Sequence, residues 1–404
     1  MKTKSILKIA AIALATSGTC VAQTNPAVSE NAVRIGVLND MSGVYAPAAG
    51  AGSLEAARMA AEDFGGRVLG APIEIIGADH QNKPDVGTAV ANRWFDREGV
   101  DAIVDLPNSS IALAVQEIGR EKGKIIIGGG AATARLTGEN CSPTGIHYIY
   151  DTYSMAKASA LAITENIGKK VYFITVDYTF GQQLQDAITH FVKQNGGQVI
   201  GSVKHPLGAN DFSSYIMQAM SSNADVVVFA SAAGDAANAI KTAKEFGLQQ
   251  SGKSAFAPLV MIPDIKGIGA GIAAGTMLIS PFYWNKSEQS AAWSKRYFER
   301  MDAMPSMAQA GAYSYTTHYL KAVEKAGTDE GIKVARAMKE LPVNDWFAEG
   351  YIRRDGRMIH DQYLVKVKSP EDADHPWDLF ELVETIPGEE AFRPLDEGNC
   401  RLIR

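Results

Sequence analysis

The feature that most constrains the fold is a relay of apolar runs and amphipathic stretches, repeated with short breaks from residue 33 onward. VRIGVL (33–38) leads through NDMSGVYAPAAGAG into SLEAARMAAEDF, where Leu54, Ala57, Ala61 and Phe64 share one helical face and Gly65-Gly66 ends the helix. PIEIIGA, PDVGTAVANRWFDREG, VDAIVDL, SSIALAVQEIGREKG and KIIIGGG continue the cycle. Past Tyr150 it resumes with KKVYFITV, FGQQLQDAITHFVKQNGG, QVIGSV, DFSSYIMQAMSSN, ADVVVFA and GDAANAIKTAKEFG. Runs such as KIII and VVVF lack polar alternation, which predicts strands buried on both faces. Such repetition closes on parallel sheets covered by helices, an α/β architecture.

The cycle resets near residue 150 and changes character around GTMLISPFYWN (275–285). Three helical stretches follow (289–302, 306–324 and 329–339) without strands of their own, so they must pack on a sheet already built. The chain ends in two strand-like pieces, YIRRD and QYLVKVK, and an irregular tail rich in proline and acid. A chain of 404 residues exceeds one usual core, so two domains are expected, with more than one passage between them.

Lys2, Lys4 and Lys8 followed by IAAIALATSG and CVAQ form an export signal, residues 1–22, with cleavage near Ala22. Its apolar run is about half the ~20 residues that span a bilayer, so an anchor is not expected. Acylation of Cys20 is the second reading, since Ser17-Gly18-Thr19 lacks the usual leucine and ends in threonine. The chain carries 39 Lys and Arg against 45 Asp and Glu, and loss of the three leader lysines moves its net charge from −6 to −9. That balance argues against nucleic acid or an anionic membrane as partner. Of three cysteines, Cys141 and Cys400 remain after cleavage. In an oxidising compartment they are expected to pair, the alternative being two buried thiols.

The segments IGVLNDMSGVYAPAAG with a helix ending EDFGG, NSSIALAVQEIGREKGKIII, GGGAATARLT, VDYTFGQ and HPLGANDFSSYIMQAMSSNADVVVF occur in an order and spacing that resemble the substrate-binding proteins of ABC importers. The class is that of the leucine/isoleucine/valine-binding protein, and the resemblance runs from Val33 to QYLVKVK. It implies the type I periplasmic binding fold: two doubly wound parallel-sheet lobes joined by a three-strand hinge, with a ligand trapped between them. The implied lobes are 31–149 plus 283–346, and 150–282 plus 347–404 with the tail, with passages near 150, 282 and 347. The implied function is periplasmic capture of a small organic solute, an amino acid or an apolar or aromatic carboxylate, and its delivery to a membrane permease. A sensor presenting the same closed shape to a membrane receptor is the alternative. A monomer is expected, with no cofactor and no metal.

In open α/β sheets ligands lie beyond the C-terminal strand ends. Pro107-Asn108-Ser109-Ser110 follows VDAIVDL and opens a helix, whose free N–H groups and hydroxyls suit an anion. Asn108 or Ser109 would also serve as the helix cap. After KIII comes Gly128-Gly129-Gly130-Ala131-Ala132-Thr133, where tiny side chains let a ligand approach the backbone. The resemblance places the ligand carboxylate on these two loops. Tyr45 is a candidate to close over the ligand. Phe180 stands where the branched-chain amino-acid binders have tyrosine, and Ala232-Ala233 replaces bulkier residues, which favours a larger apolar or aromatic ligand. Asp264, in MIPDIKG, is the candidate acid for an ammonium group and equally a helix cap. Asp235 reads as a cap.

An enzyme reading rests on Tyr153-x-x-x-Lys157, the tyrosine–lysine spacing of short-chain dehydrogenases. The first strand–helix loop fits neither G-x-G-x-x-G nor TGxxxGxG, so a secreted NAD(P)-dependent oxidoreductase is the weaker alternative. Ser154-x-x-Lys157 lacks KTG and SDN partners, and no G-x-S-x-G elbow or HExxH occurs.

Overall fold

The structure is a computed structural model that describes residues 27–403. The expected export signal, residues 1–22 with Cys20, lies outside the described residues. Strand β1 (Val33–Asn39) leads to helix α1 (Gly50–Asp63), β2 (Arg67–Val68) and β3 (Ala71–Asp79) to α2 (Pro84–Arg97), β4 (Ala102–Asp105) to α3 (Ser109–Lys122), and β5 (Ile125–Gly128) to β6 (Gly145–His147). These strands form one six-stranded sheet of order β2-β3-β1-β4-β5-β6, parallel except for the β2–β3 hairpin.

Helix α4 (Thr152–Asn166) opens a second cycle: β7 (Lys170–Val176), α5 (Thr179–Gln194), β8 (Gln198–His205), α6 (Ser213–Ser221), β9 (Val226–Ala230), α7 (Ala233–Glu245), β10 (Ser254–Phe256), α8 (Ile262–Ile268) and α9 (Ala270–Ala273). Its parallel sheet has the order β10-β9-β7-β8. Every residue of β4, β5 and β9 is buried, as the unbroken apolar runs require.

Next come β11 (Met277–Ser280), α10 (Glu288–Met301), α11 (Met307–Ala326) and α12 (Gly331–Glu340). Helix α10 returns to the first lobe, where Arg296 pairs with Asp63 of α1 at 2.8 Å and Arg300 with Glu55 and Glu62 at 2.8 and 2.7 Å. Ser306 caps α11 by accepting from Gln309 N–H, and Gly327, at φ 65°, ends it in the left-handed conformation. A small antiparallel sheet of β12 (Pro342–Asn344), β13 (Glu349–Ile352) and β14 (Met358–His360) then leans on β6 through a His147–Arg357 bridge.

Strand β15 (Gln362–Val367) pairs with β11 and with β16 (Phe380–Ile386), and Leu278, Val365 and Phe380 join the second lobe's core. Strand pairing thus carries the chain across after His360, between β14 and β15, and not near 347 as the sequence suggested. The hairpin around Gly356 prolongs the first sheet before the passage. The tail also departs from expectation: it holds strand β16 and a short helix α13 (Gly388–Ala391), then returns to the first lobe, where Cys400 is bonded to Cys141. Among the described residues, no helix is long and apolar enough to cross a membrane.

Candidate functional site

Both main sheets have a point where successive connections diverge. Strand β1 lies between β3 and β4, so the loops after β1 and β4 part company. Strand β7 lies between β8 and β9, so the loops after β7 and β9 do the same. Such switch points open crevices beyond the strand ends. Here the two crevices face each other across a pocket. Tyr45 and Ala49 (after β1), Pro107 (after β4), and Gly130 and Ala132 (after β5) form one wall, joined by Ala308 of α11. Tyr178 and Phe180 (after β7), Ala232 and Ala233 (after β9), and Leu259 and Met261 (after β10) form the other. Tyr150, on the first passage between the lobes, lies between them.

The lobes meet at the pocket's edge. The Tyr45 and Tyr178 hydroxyls are 2.5 Å apart, and Ser110 Oγ donates to Thr179 Oγ1 at 2.9 Å. Consecutive residues at the start of α5 thus reach two separate loops of the first lobe. The Tyr150 hydroxyl donates to the Gly130 carbonyl at 2.8 Å. Burial raises the pKa of all three phenols, so they serve as neutral hydrogen-bonding groups.

The first wall is built under constraint. Asp105 and Leu106 have φ of 80° and 59°, a left-handed conformation costly for residues other than glycine, and they turn Pro107 onto the pocket. Asn39 Nδ2 donates to Asp105 Oδ2 at 2.6 Å, while Asp105 Oδ1 is buried with no partner among the described residues. Burial pushes this carboxyl up to about 7. A side chain on Gly130 would come within 2.9 Å of Asp105 Oδ1 and of the Pro107 backbone, and one on Gly129 would enter the Tyr315 ring. The glycine run is therefore needed for packing behind the wall as well as for an open pocket.

Of the residues singled out from sequence, Tyr45, Pro107, Gly130, Ala132, Phe180, Ala232 and Ala233 line the pocket, and the others stand behind or beside it. Asn108 caps α3 by accepting from the Ser110 and Ile111 N–H groups. Ser109 is buried in the first turn with its hydroxyl unpartnered among the described residues, and Ser110 faces Thr179. The Ala131 carbonyl accepts from His147 Nε2 at 2.8 Å, and Thr133 Oγ1 accepts from Arg135 N–H at 3.4 Å. Asp264 accepts the Met261 N–H at 2.9 Å inside the first turn of α8, and burial pushes its carboxyl up to about 7. Asp235 accepts the Gly208 N–H at 3.0 Å.

Sequence reasoning missed Tyr178, Tyr150, Leu259 and Met261. Tyr178 was visible only as the residue before a helix, two positions ahead of Phe180. Leu259 and Met261 follow a three-residue strand too short to show a period. The tyrosine–lysine motif does not form a reactive pair. Tyr153 packs edge-on against Phe191 at 5.1 Å, Lys157 donates to the Glu390 carbonyl, and burial raises the Tyr153 pKa, opposite to activation.

Two doubly wound sheets around an interlobe pocket define a solute-binding architecture. Residues 32–374 match the family model described as periplasmic binding protein, and the chain belongs to that family. A solved periplasmic binding protein from Burkholderia mallei is 45% identical, with a TM-score of 0.91 over 93% of this chain and 100% of that one. A branched chain amino acid ABC transporter periplasmic ligand-binding protein from Burkholderia xenovorans is 37% identical, with a TM-score of 0.82 over 92% and 100%. Leu/Ile/Val-binding protein homolog 4 of Brucella melitensis is 24% identical over 98% of this chain and 97% of its own length. Members of this family are solute-binding proteins and not enzymes.

Proposed function

We propose that this chain is the periplasmic binding component of an ABC importer: exported behind residues 1–22, it captures a small organic solute between its lobes and presents the closed form to a membrane permease. It performs no chemistry on the solute. The observation that carries this reading is the pocket itself, walled by loops from both lobes and bridged at its edge by Tyr45 and Tyr178. A ligand that touches both walls is bound only when they come together, so it shifts the population toward the closed form. The first-lobe loops 107–110 and 130–133 supply the acid-binding end. The backbone N–H groups of Ser109, Ala131, Ala132 and Thr133 have no partner among the described residues, and Ser109 opens α3.

A thermal-shift screen of the refolded mature protein tests it, with amino acids, aliphatic and aromatic carboxylates, amides and NAD(P) in the panel. A solute at 100 times its Kd adds ~2.7 kcal/mol, which raises Tm by about 3 °C in a protein this large. A shift with NAD(P) and no small solute would instead support the oxidoreductase alternative.

The closure contact has its own test. Tyr45→Phe and Tyr178→Phe should each weaken binding of the solute found in that screen by about 3- to 10-fold, the worth of one hydrogen bond. Because the two hydroxyls share that bond, the double variant should lose little more than either single one. Losses that simply multiply, measured by calorimetry, would mean that the hydroxyls act separately.

A further inference from the structure

The pocket is built without a counter-charge for a cation. The second lobe presents Tyr178, Phe180, Ala232, Ala233, Leu259 and Met261, whose only polar side-chain atom is the Tyr178 hydroxyl. Among the described residues lining either wall there is no Asp, Glu, Lys, Arg or His. Three carboxyls come near and none lines it. Asp105 stands behind Gly130, with Oδ2 bonded to Asn39 and Oδ1 unpartnered among the described residues, while Asp235 accepts the Gly208 N–H and Asp264 the Met261 N–H. All three are buried, at 0%, 1% and 6% exposure.

An α-ammonium group has three donors and a full charge. Enclosed here, it would exchange its water for phenol oxygens already engaged with each other or with Gly130. Burying a charge without a partner is strongly unfavourable. A carboxylate meets better conditions, because its acceptors find the unpartnered backbone N–H groups of the first-lobe loops, including that of the pocket-lining Ala132.

Resting on the binding-protein reading above, we infer that the solute is a monocarboxylate with an apolar body and no ammonium group. Its acid end lies on the first-lobe loops, and its body lies against Phe180, Leu259 and Met261. The apolar side chains of the second lobe leave nothing there to pair with an ammonium group.

The test is isothermal calorimetry on the refolded wild-type protein with pairs that differ in one group. 3-Methylbutanoate is compared with valine, 3-phenylpropanoate with phenylalanine, and each acid with its amide; benzoate and choline complete the set. The des-amino acid of at least one pair should bind about 100-fold tighter than the amino acid. Its amide should lose most of that affinity. An amino acid that binds as well as its des-amino partner, or choline binding better than the acids, would overturn the exclusion of ammonium. An amide equal to its acid would overturn the carboxylate assignment. Both results leave the binding-protein reading standing. Heat from none of these, in protein shown folded by circular dichroism, would overturn the inferred solute class, and silence across the wider thermal-shift panel would remove the binding reading as well.

Discussion

Replacing Arg357 with methionine should destabilise the protein by about 3–5 kcal/mol, the usual cost of removing one partner from a buried charged network. Arg357 is 1% exposed, on the hairpin that precedes β14. Its Nη1 donates to the Tyr150 carbonyl at 3.1 Å, Nη2 to Tyr148 at 2.9 Å, and Nε to Met358 at 3.0 Å. The guanidinium also lies 4.2 Å from the centroid of Phe392, and its Nη1 is 3.6 Å from Asp151 Oδ2. One side chain therefore joins the first passage between the lobes, the hairpin before the third, and the tail. Burial is the largest influence on the Asp151 carboxyl and would raise it, but Arg357 together with His147, the Ser154 N–H and Arg393 outweighs burial and holds Asp151 below its usual range. Methionine fills similar space and supplies no donor, leaving two hinge carbonyls and Asp151 without their cation. For a domain pair this size the loss corresponds to a Tm fall of about 5 °C. Arg357→Lys keeps the charge without the planar fork and should fall between the two. A methionine variant within about 1 kcal/mol of wild type in urea titration would mean that water replaces the guanidinium and that the network contributes little.

The repeating architecture was legible because buried parallel strands leave a plain mark. Val226, Val227 and Val228 are fully buried in β9, and a run of three valines has few other destinations. Loops beyond strand ends were legible for the same reason, and they gave Tyr45, Gly130, Ala132 and Phe180. What stayed hidden depends on how one lobe meets the other. Nothing local to VDYTFGQ distinguishes Tyr178, which reaches across to Tyr45, from a residue that merely starts a helix. Ser110 read as a ligand contact because its partner, Thr179, is 69 residues away. The position of the third passage was hidden too, since a hairpin such as YIRRDGRMIH reads alike on either lobe. Strand β16 was masked by its acidic, proline-containing flanks and is largely exposed, so it carries no burial period.

Reducing the Cys141–Cys400 bond should cost about 5 kcal/mol on the chain-entropy account, the second large effect expected. The two residues are 259 apart in sequence, and a loop that long gains much freedom in the unfolded chain. The loop holds all three passages between the lobes, and the tail adds a fourth. From β16 in the second lobe it continues through α13, where Lys157 of α4 donates to the Glu390 carbonyl. Arg353 Nη1 then donates to the Arg393 carbonyl at 2.7 Å, and Arg393 Nη2 to the Ala134 carbonyl at 3.1 Å, ahead of the disulfide. Packing along this path is thin: Ala391 and Phe392 form a small cluster with Ile359, apart from both main cores. Without the covalent bond the tail should open before the lobes unfold. Reductant and the Cys141→Ser/Cys400→Ser double variant should therefore both lower Tm by roughly 6 °C. Both should also expose the segment after Pro387 to protease while the rest of the chain resists. No residue lining the pocket lies beyond Ala308, so the reduced protein should still respond to the solute identified by the binding screen. Equal melting temperatures with and without reductant would show that contacts alone hold the tail; loss of binding together with stability would show that this fourth strap also sets how the lobes close.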